Sequence, residues 1–342
     1  MENPAHTSGS TAVSPVFQVC LILINLAVIA TLVWHRSGIT RIAEHTPNYF
    51  RAADQKSAPQ ASLIRTGLHV DHFEAFETRE SIFTFSGTAW FEFDPDKVAP
   101  EKIADFTFES GISHERRPLE ITTTPDGKIL AQYAVKETIT RPMDHRLFPL
   151  DSHRLYMALA NRHFSADLVR FISSKTDFVS DANLKLFGWK QVGEDVECGF
   201  KRVGIDETDE SRYTDYPVAL FSIDITRSGI QFLLLILLPL LFIFYLALFT
   251  LSAGTQNIGI TASVMVAIPG YRIVIQNIAP SVGYLVLSDY LFFIFLAATG
   301  CVFLTNIITS ASPRLTERHR RYAIIAIHTA VLAACTYLFE FW

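Results

Sequence analysis

The chain is poor in charge. Acidic and basic residues make up 18% of its 342 residues, against roughly 25% in an ordinary soluble domain. The deficit is uneven: most charges lie between Arg36 and Arg227, and five other stretches carry almost none. No cluster of lysine and arginine interleaves with aromatics in the charged part, which argues against a nucleic-acid surface. Cysteine is scarce too. Cys20, Cys301 and Cys335 sit inside apolar stretches, and Cys198 stands alone in the polar middle, so no disulfide can close there. No C-x-x-C pair or Cys/His spacing suggests zinc. A Ser/His/Asp order with an elbow glycine motif, a metal-ligand cluster and a Gly-rich phosphate loop are also missing. The sequence therefore predicts no enzyme, no metal and no cofactor.

What the chain has instead is apolar runs of membrane-spanning length. Ile230–Leu251, Ile258–Ile278, Tyr290–Ile308 and Tyr322–Phe341 can each cross a hydrocarbon core about 30 Å thick. The links Ser252–Asn257 and Ala279–Asp289 are short, so neighbouring helices must run antiparallel. Arg314, Arg318, Arg320 and Arg321 lie between the last two runs, and the positive-inside rule assigns that loop to the cytoplasm. The polar middle of the chain then lies outside. A fifth run, Val16–Trp34, opens the chain as an uncleaved anchor or a signal segment. Arg36 and Arg41, which follow it, would be outside if it spans, against the same rule.

The polar middle reads as strands. Ile82–Phe93 is aromatic and β-branched and ends at Asp94-Pro95, and Thr124-Pro125-Asp126-Gly127 is a turn signal before a returning strand at Lys128–Thr140. Further short strands are expected at Arg154–Ala160, Leu168–Ile172, Gly188–Val192, Cys198–Val203 and Val218–Thr226. Regularly spaced short strands suggest an all-β sandwich. The predicted layout is residues 1–37 as hydrophobic anchor or signal, 38–61 as linker, 62–226 as the strand domain and 227–342 as four membrane helices.

An ordered set of motifs runs through this layout. Phe148-Pro149-Leu150-Asp151 comes first, then Gly188-Trp189, then Ile225-Thr226-Arg227 before an apolar helix containing Pro239. Asn277-Ile278-Ala279-Pro280 closes the next helix, and Val282-Gly283-Tyr284 through Asp289-Tyr290 opens the third. The set resembles the pentameric ligand-gated ion channels, the Cys-loop superfamily, and especially its bacterial branch. The family's bracketing cysteines would fall near Arg141 and Leu155, which carry no sulfur, as in prokaryotic members.

The resemblance implies an immunoglobulin-like β-sandwich outside the cytoplasm and a four-helix transmembrane bundle, preceded here by an extra N-terminal hydrophobic helix. It implies a homopentamer in the lipid bilayer, in a bacterial inner membrane, opened by a small molecule or by protons and conducting ions. Phe148, Pro149 and Asp151 match the loop that transmits movement. Asp151 and Arg227 match a charge pair at the domain junction, with Glu77 or Glu80 as a third member. Aligning Pro280 with the family's proline after the second helix puts Thr255, Gly259, Ser263, Val266, Gly270, Ile273 and Asn277 on the pore. Their steps of three and four are those of one helical face. Val266 and Ile273 would form apolar rings able to close by dewetting. The segment Lys201–Tyr216 matches the capping loop over the ligand site, where Tyr213 and Tyr216 could cage a cation. His145 and His153, beside the Phe-Pro loop, bear on a proton agonist.

Two features depart from the family. Pro269-Gly270 interrupts the pore helix, and Arg272 follows inside the apolar span, either as a functional charge or with its head reaching to the interface. Neither the acidic inner ring of cation channels nor the Pro-Ala-Arg pattern of anion channels is present, so selectivity is open. The alternative reading is a non-conducting receptor or scaffold on the same fold.

Overall fold

The structure, a computed structural model, describes residues 15–37, 50–52, 61–181, 186, 188–204, 213–228, 230–252, 258–311 and 317–341. Helix α1 (Pro15–Ser37) comes first. The strands are β1 (Phe50–Ala52), β2 (Ser62–Glu77), β3 (Ile82–Phe93), β4 (Thr107–Phe108), β5 (Gly111–Thr123), β6 (Ile129–Thr140), β7 (Ser152–Ala160), β8 (Val169–Ile172), β9 (Phe178–Ser180), β10 (Trp189–Gly204) and β11 (Tyr213–Arg227). A short helix α2 (Pro100–Ile103) lies between β3 and β4; α3 (Gln231–Ser252), α4 (Ile258–Ile278), α5 (Leu287–Ala311) and α6 (Glu317–Phe341) complete the chain. Two compact units result. The strand unit falls within residues 41–144 and 152–228; the helical unit takes 1–40, 145–151 and 229–342.

In the strand unit one sheet runs β1-β10-β11-β7-β4 and the other β5-β6-β3-β2-β8, with β9 also paired to β2. Side-chain alternation explains the elements. β6 buries Ala131, Tyr133, Val135, Glu137 and Ile139 and turns the intervening residues outward, the period of two that a half-buried strand requires. β3 does the same with Phe83, Phe85, Ala89, Phe91 and Phe93. Both sheets feed one core, which includes Phe85 and Phe91 of β3, Met157 and Leu159 of β7 and Phe221 and Ile223 of β11. The Phe91 ring lies 5.1 Å from Phe106 and 6.1 Å from each of Tyr133 and Phe171, centroid to centroid. Each such ring contributes about 1.5–3 kcal/mol through burial. Between β5 and β6 the chain turns at Gly127 (φ 81°), a left-handed conformation that glycine adopts without strain.

Three expectations for this unit are corrected. Gly188–Val192 and Cys198–Val203 are not separate strands, because β10 runs unbroken from Trp189 to Gly204, paired with β11. The intervening Gly193-Glu194-Asp195 is too polar to read as strand, yet the ladder carries it past an irregularity between Gln191 and Gly193. The long strand β2 escaped notice because His69, Asp71, His72 and Glu74 are charged or polar, and register shifts at Val70/His72 and Phe73/Ala75 break its alternation. The linker 38–61 is not all linker, since β1 pairs with β10.

Among the described residues, the helical unit holds five helices long and apolar enough to cross a membrane. α3 buries Leu233, Ile236, Leu237, Leu240, Phe244, Leu248 and Leu251, the three-and-four spacing of a helix facing its neighbours. Asn306 of α5 donates to Thr250 Oγ1 of α3 at 2.8 Å and to Thr261 Oγ1 of α4 at 2.9 Å, so one amide ties three helices. α1 is no bystander. Ser252 Oγ donates to Gln18 Oε1, and Asn25 Nδ2 lies 2.6 Å from His328 Nδ1 of α6. Gln18, Asn25, Ile29, Val33 and Arg36 are buried along a single stripe of α1.

Candidate functional site

α4 has an unusual outward face. Gly259, Ser263, Val266, Gly270, Ile273 and Asn277 are all exposed, Val266 by 73% and Ile273 by 63%. Thr255, the remaining residue of the expected pore face, lies outside the described residues. The buried residues of α4 are Thr261, Val264, Ile268 and Ile275. At about 3.6 residues per turn these two lines fall on opposite sides of the helix. Pro269 has no N–H for the Met265 carbonyl, yet α4 continues as one helix through it.

The loop between β6 and β7 belongs to the helical unit. Its turn is closed by the Phe148 N–H on the His145 carbonyl (2.8 Å) and the Leu150 N–H on the Leu147 carbonyl (2.7 Å). Phe148 is 2% exposed within the helical core, and Leu150 packs beside it. The first N–H groups of a helix have no partner inside it. Here Leu287 of α5 donates to the Arg146 carbonyl (2.8 Å) and Ser288 to the Phe148 carbonyl (3.2 Å). The His145 N–H donates to the Tyr284 hydroxyl at 3.0 Å, and the Arg146 guanidinium lies 5.9 Å from the Tyr284 ring centroid. Asp151 is 1% exposed, with Oδ2 3.5 Å from His145 Nδ1.

Arg272 of α4 is directed to α5. It pairs with Asp289 in the first turn of α5 and lies 5.1 Å from the Phe292 centroid. The other Asp289 oxygen accepts the Val286 N–H at 2.9 Å, which caps α5. Beside Arg272, the Tyr271 hydroxyl donates to the Leu235 carbonyl of α3.

In the strand unit, Glu77 and Glu80 are exposed around the turn between β2 and β3. Arg227 ends β11, its guanidinium 4.4 Å from the Trp189 centroid, a cation–π contact. Of the charged residues that the resemblance groups at a junction, Asp151 belongs to the helical unit and Arg227, Glu77 and Glu80 to the strand unit. Tyr213 and Tyr216 are half-buried on β11, where the register with β10 is unbroken (Gly204↔Tyr213, Lys201↔Tyr216). Three residues apart on a strand, they point to opposite faces. They are not brought together as the walls of one cage.

Two features of the strand unit had no sequence signal. Glu109 is buried and accepts from Lys201 Nζ and from Arg162 at 3.2 Å. Lys201 lies opposite Tyr216, so this charged cluster adjoins the Tyr216 face. Glu137 occupies an inward position of β6. Burial pushes its carboxyl above the ordinary glutamate value of 4.5, against the opposing effect of a hydrogen bond from Ser113 and the charge of Arg116. Among the described residues its Oε1 accepts no hydrogen bond.

No protein-family model and no curated protein matches this chain.

Proposed function

We propose that the chain is one subunit of a homopentameric ion channel opened by a small ligand or by protons, with α4 lining the pore. The strand unit is then an immunoglobulin-like sandwich outside the cytoplasm, and α3–α6 form the four-helix bundle of each subunit. One observation carries this reading: the α4 face that turns away from its neighbours intersperses Gly259, Ser263, Gly270 and Asn277 with the exposed apolar residues Val266 and Ile273. Small and hydroxylated residues suit water or a close-packed copy far better than lipid. Five copies around an axis would give that face a hydrated lumen, with Val266 and Ile273 as apolar rings. The grip of the loop 145–151 on the start of α5 supports a transmitting role for Phe148 and Pro149.

The test is reconstitution of the full-length protein in phosphatidylethanolamine/phosphatidylglycerol bilayers, with current recorded across pH steps and a panel of amines and amino acids. The expected result is five-subunit assemblies that pass current. Intact five-subunit assemblies that stay silent throughout would favour the non-conducting receptor, a reading that Pro269-Gly270 in α4 keeps in view.

A further inference from the structure

Arg272 is a cation inside an apolar span, and its direction is informative. On α4 it falls near the buried line of Thr261, Val264, Ile268 and Ile275, away from the exposed stripe. It is directed to Asp289 of α5, so it adds no ring of positive charge to the lumen. Asp289 in turn caps α5, and the two residues before it donate to the carbonyls of Arg146 and Phe148. A continuous set of polar contacts therefore runs from the loop 145–151, through the first turn of α5, to the outer half of α4.

The two halves of α4 are held differently. The inner half is held through Thr261, which shares Asn306 with Thr250. The outer half is held through Tyr271 and Arg272. Between them lies Pro269-Gly270, where one backbone hydrogen bond is missing and glycine lowers the resistance to bending. A rigid pore helix would pass any push at its outer end straight to its inner end. A helix with a weak point and a separate anchor on each side would not.

We propose that the Arg272–Asp289 pair is the positioning link that moves the outer half of α4 with the first turn of α5 and the loop 145–151, with Pro269-Gly270 as the hinge. The proposal rests on α4 lining the pore. Arg272 and Asp289 act on the pore only through the position of Ile273, and neither meets the permeant ion.

The experiment places a cysteine at Ile273 (outer half) or at Ser263 (inner half) of the full-length protein in liposomes. The modification rate by a charged, water-soluble thiol reagent is measured against the parent chain. Arg272→Gln and Asp289→Asn are added singly and together; asparagine keeps an oxygen for the Val286 N–H. Each single change is expected to alter the rate at position 273 by about fivefold, with the double variant no different from either single, as coupled partners require. Position 263 is expected to stay within about twofold, as for an uncoupled site, and Arg272→Lys to restore most of the parental rate at 273. Additive effects, or equal changes at 263 and 273, would overturn the link, as would a failure of Arg272→Lys to restore the rate at 273. The thiol rates do not depend on conduction. Coupling at 273 in a silent protein sinks the channel and keeps the link, whereas current without coupling sinks the link and keeps the channel.

Discussion

The outward faces of α3 and α4 differ. α3 turns Leu234, Leu235, Leu238, Phe242, Leu246 and Phe249 away from its neighbours, and all are exposed. α4 turns out Gly259, Ser263, Gly270 and Asn277 beside Ile260, Val266, Ile273 and Val274. Both helices are long and apolar enough to span, so length and overall hydropathy do not separate them. The medium each outward face suits does. Apolar bulk is matched to hydrocarbon chains, where an unsatisfied polar group costs several kcal/mol. Small and polar groups are matched to water or to another copy of the helix.

The strongest way to break this comparison is to place one charge on each face. Leu238→Lys is expected to cost about 2.5–3.5 kcal/mol of membrane insertion, the value for a lysine at the centre of a lipid-facing helix. Ser263→Lys is expected to cost clearly less if its face meets water, because the ammonium then keeps its hydration. Glycosylation-reporter insertion assays on the full chain measure both, and equal costs would remove the argument for a hydrated α4 face.

A smaller effect tests the same matching of group to medium away from the helices. Burial raises the Glu137 carboxyl above its ordinary 4.5, so the folded state binds the proton more tightly than the unfolded one. The sign follows: the contribution of this carboxyl to stability is fully present below about pH 4.5 and is lost as pH rises through the raised folded value. Glu137→Gln is expected to stabilise the strand unit at neutral pH by on the order of 1 kcal/mol, with the gain disappearing below about pH 4.5. Urea unfolding followed by tryptophan fluorescence at the two pH values reads this; a gain independent of pH would mean that charge is not the cause.

The smallest effect concerns how α4 is held. Asn306→Leu removes the amide shared by Thr250 and Thr261, and is expected to lower the stability of the helical unit by about 0.6 kcal/mol. Denaturation in mixed micelles measures it. No loss would show that apolar packing alone fixes the face α4 presents.

Much of this was legible in the residues. The four later spans were readable within a few residues, because unbroken apolar length leaves a one-dimensional signal. β3 and β6 were readable because one face of each is buried and their alternation is clean. β2 and the middle of β10 were not, because bulges and polar residues break the period while the ladder hydrogen bonds continue. The α4 stripe was named from the family resemblance, through the alignment of Pro280. That it lies opposite the buried line needed the neighbouring helices. Asp289 could be read as an acid at the start of a helix, a common start signal. Its partner could not, since a loop separates Arg272 from it and sequence distance says nothing about contact across a turn.

By itself the sequence determined a strand-rich domain, apolar helices of spanning length and the identity of the residues along each helical face, because these follow from local periodicity and hydropathy. Only the tertiary structure decided that α1 packs with α3 and α6, that Glu137 is buried, and that Arg272 turns toward α5 and away from the exposed stripe of α4. Those outcomes depend on which surfaces meet, and no period along the chain records that.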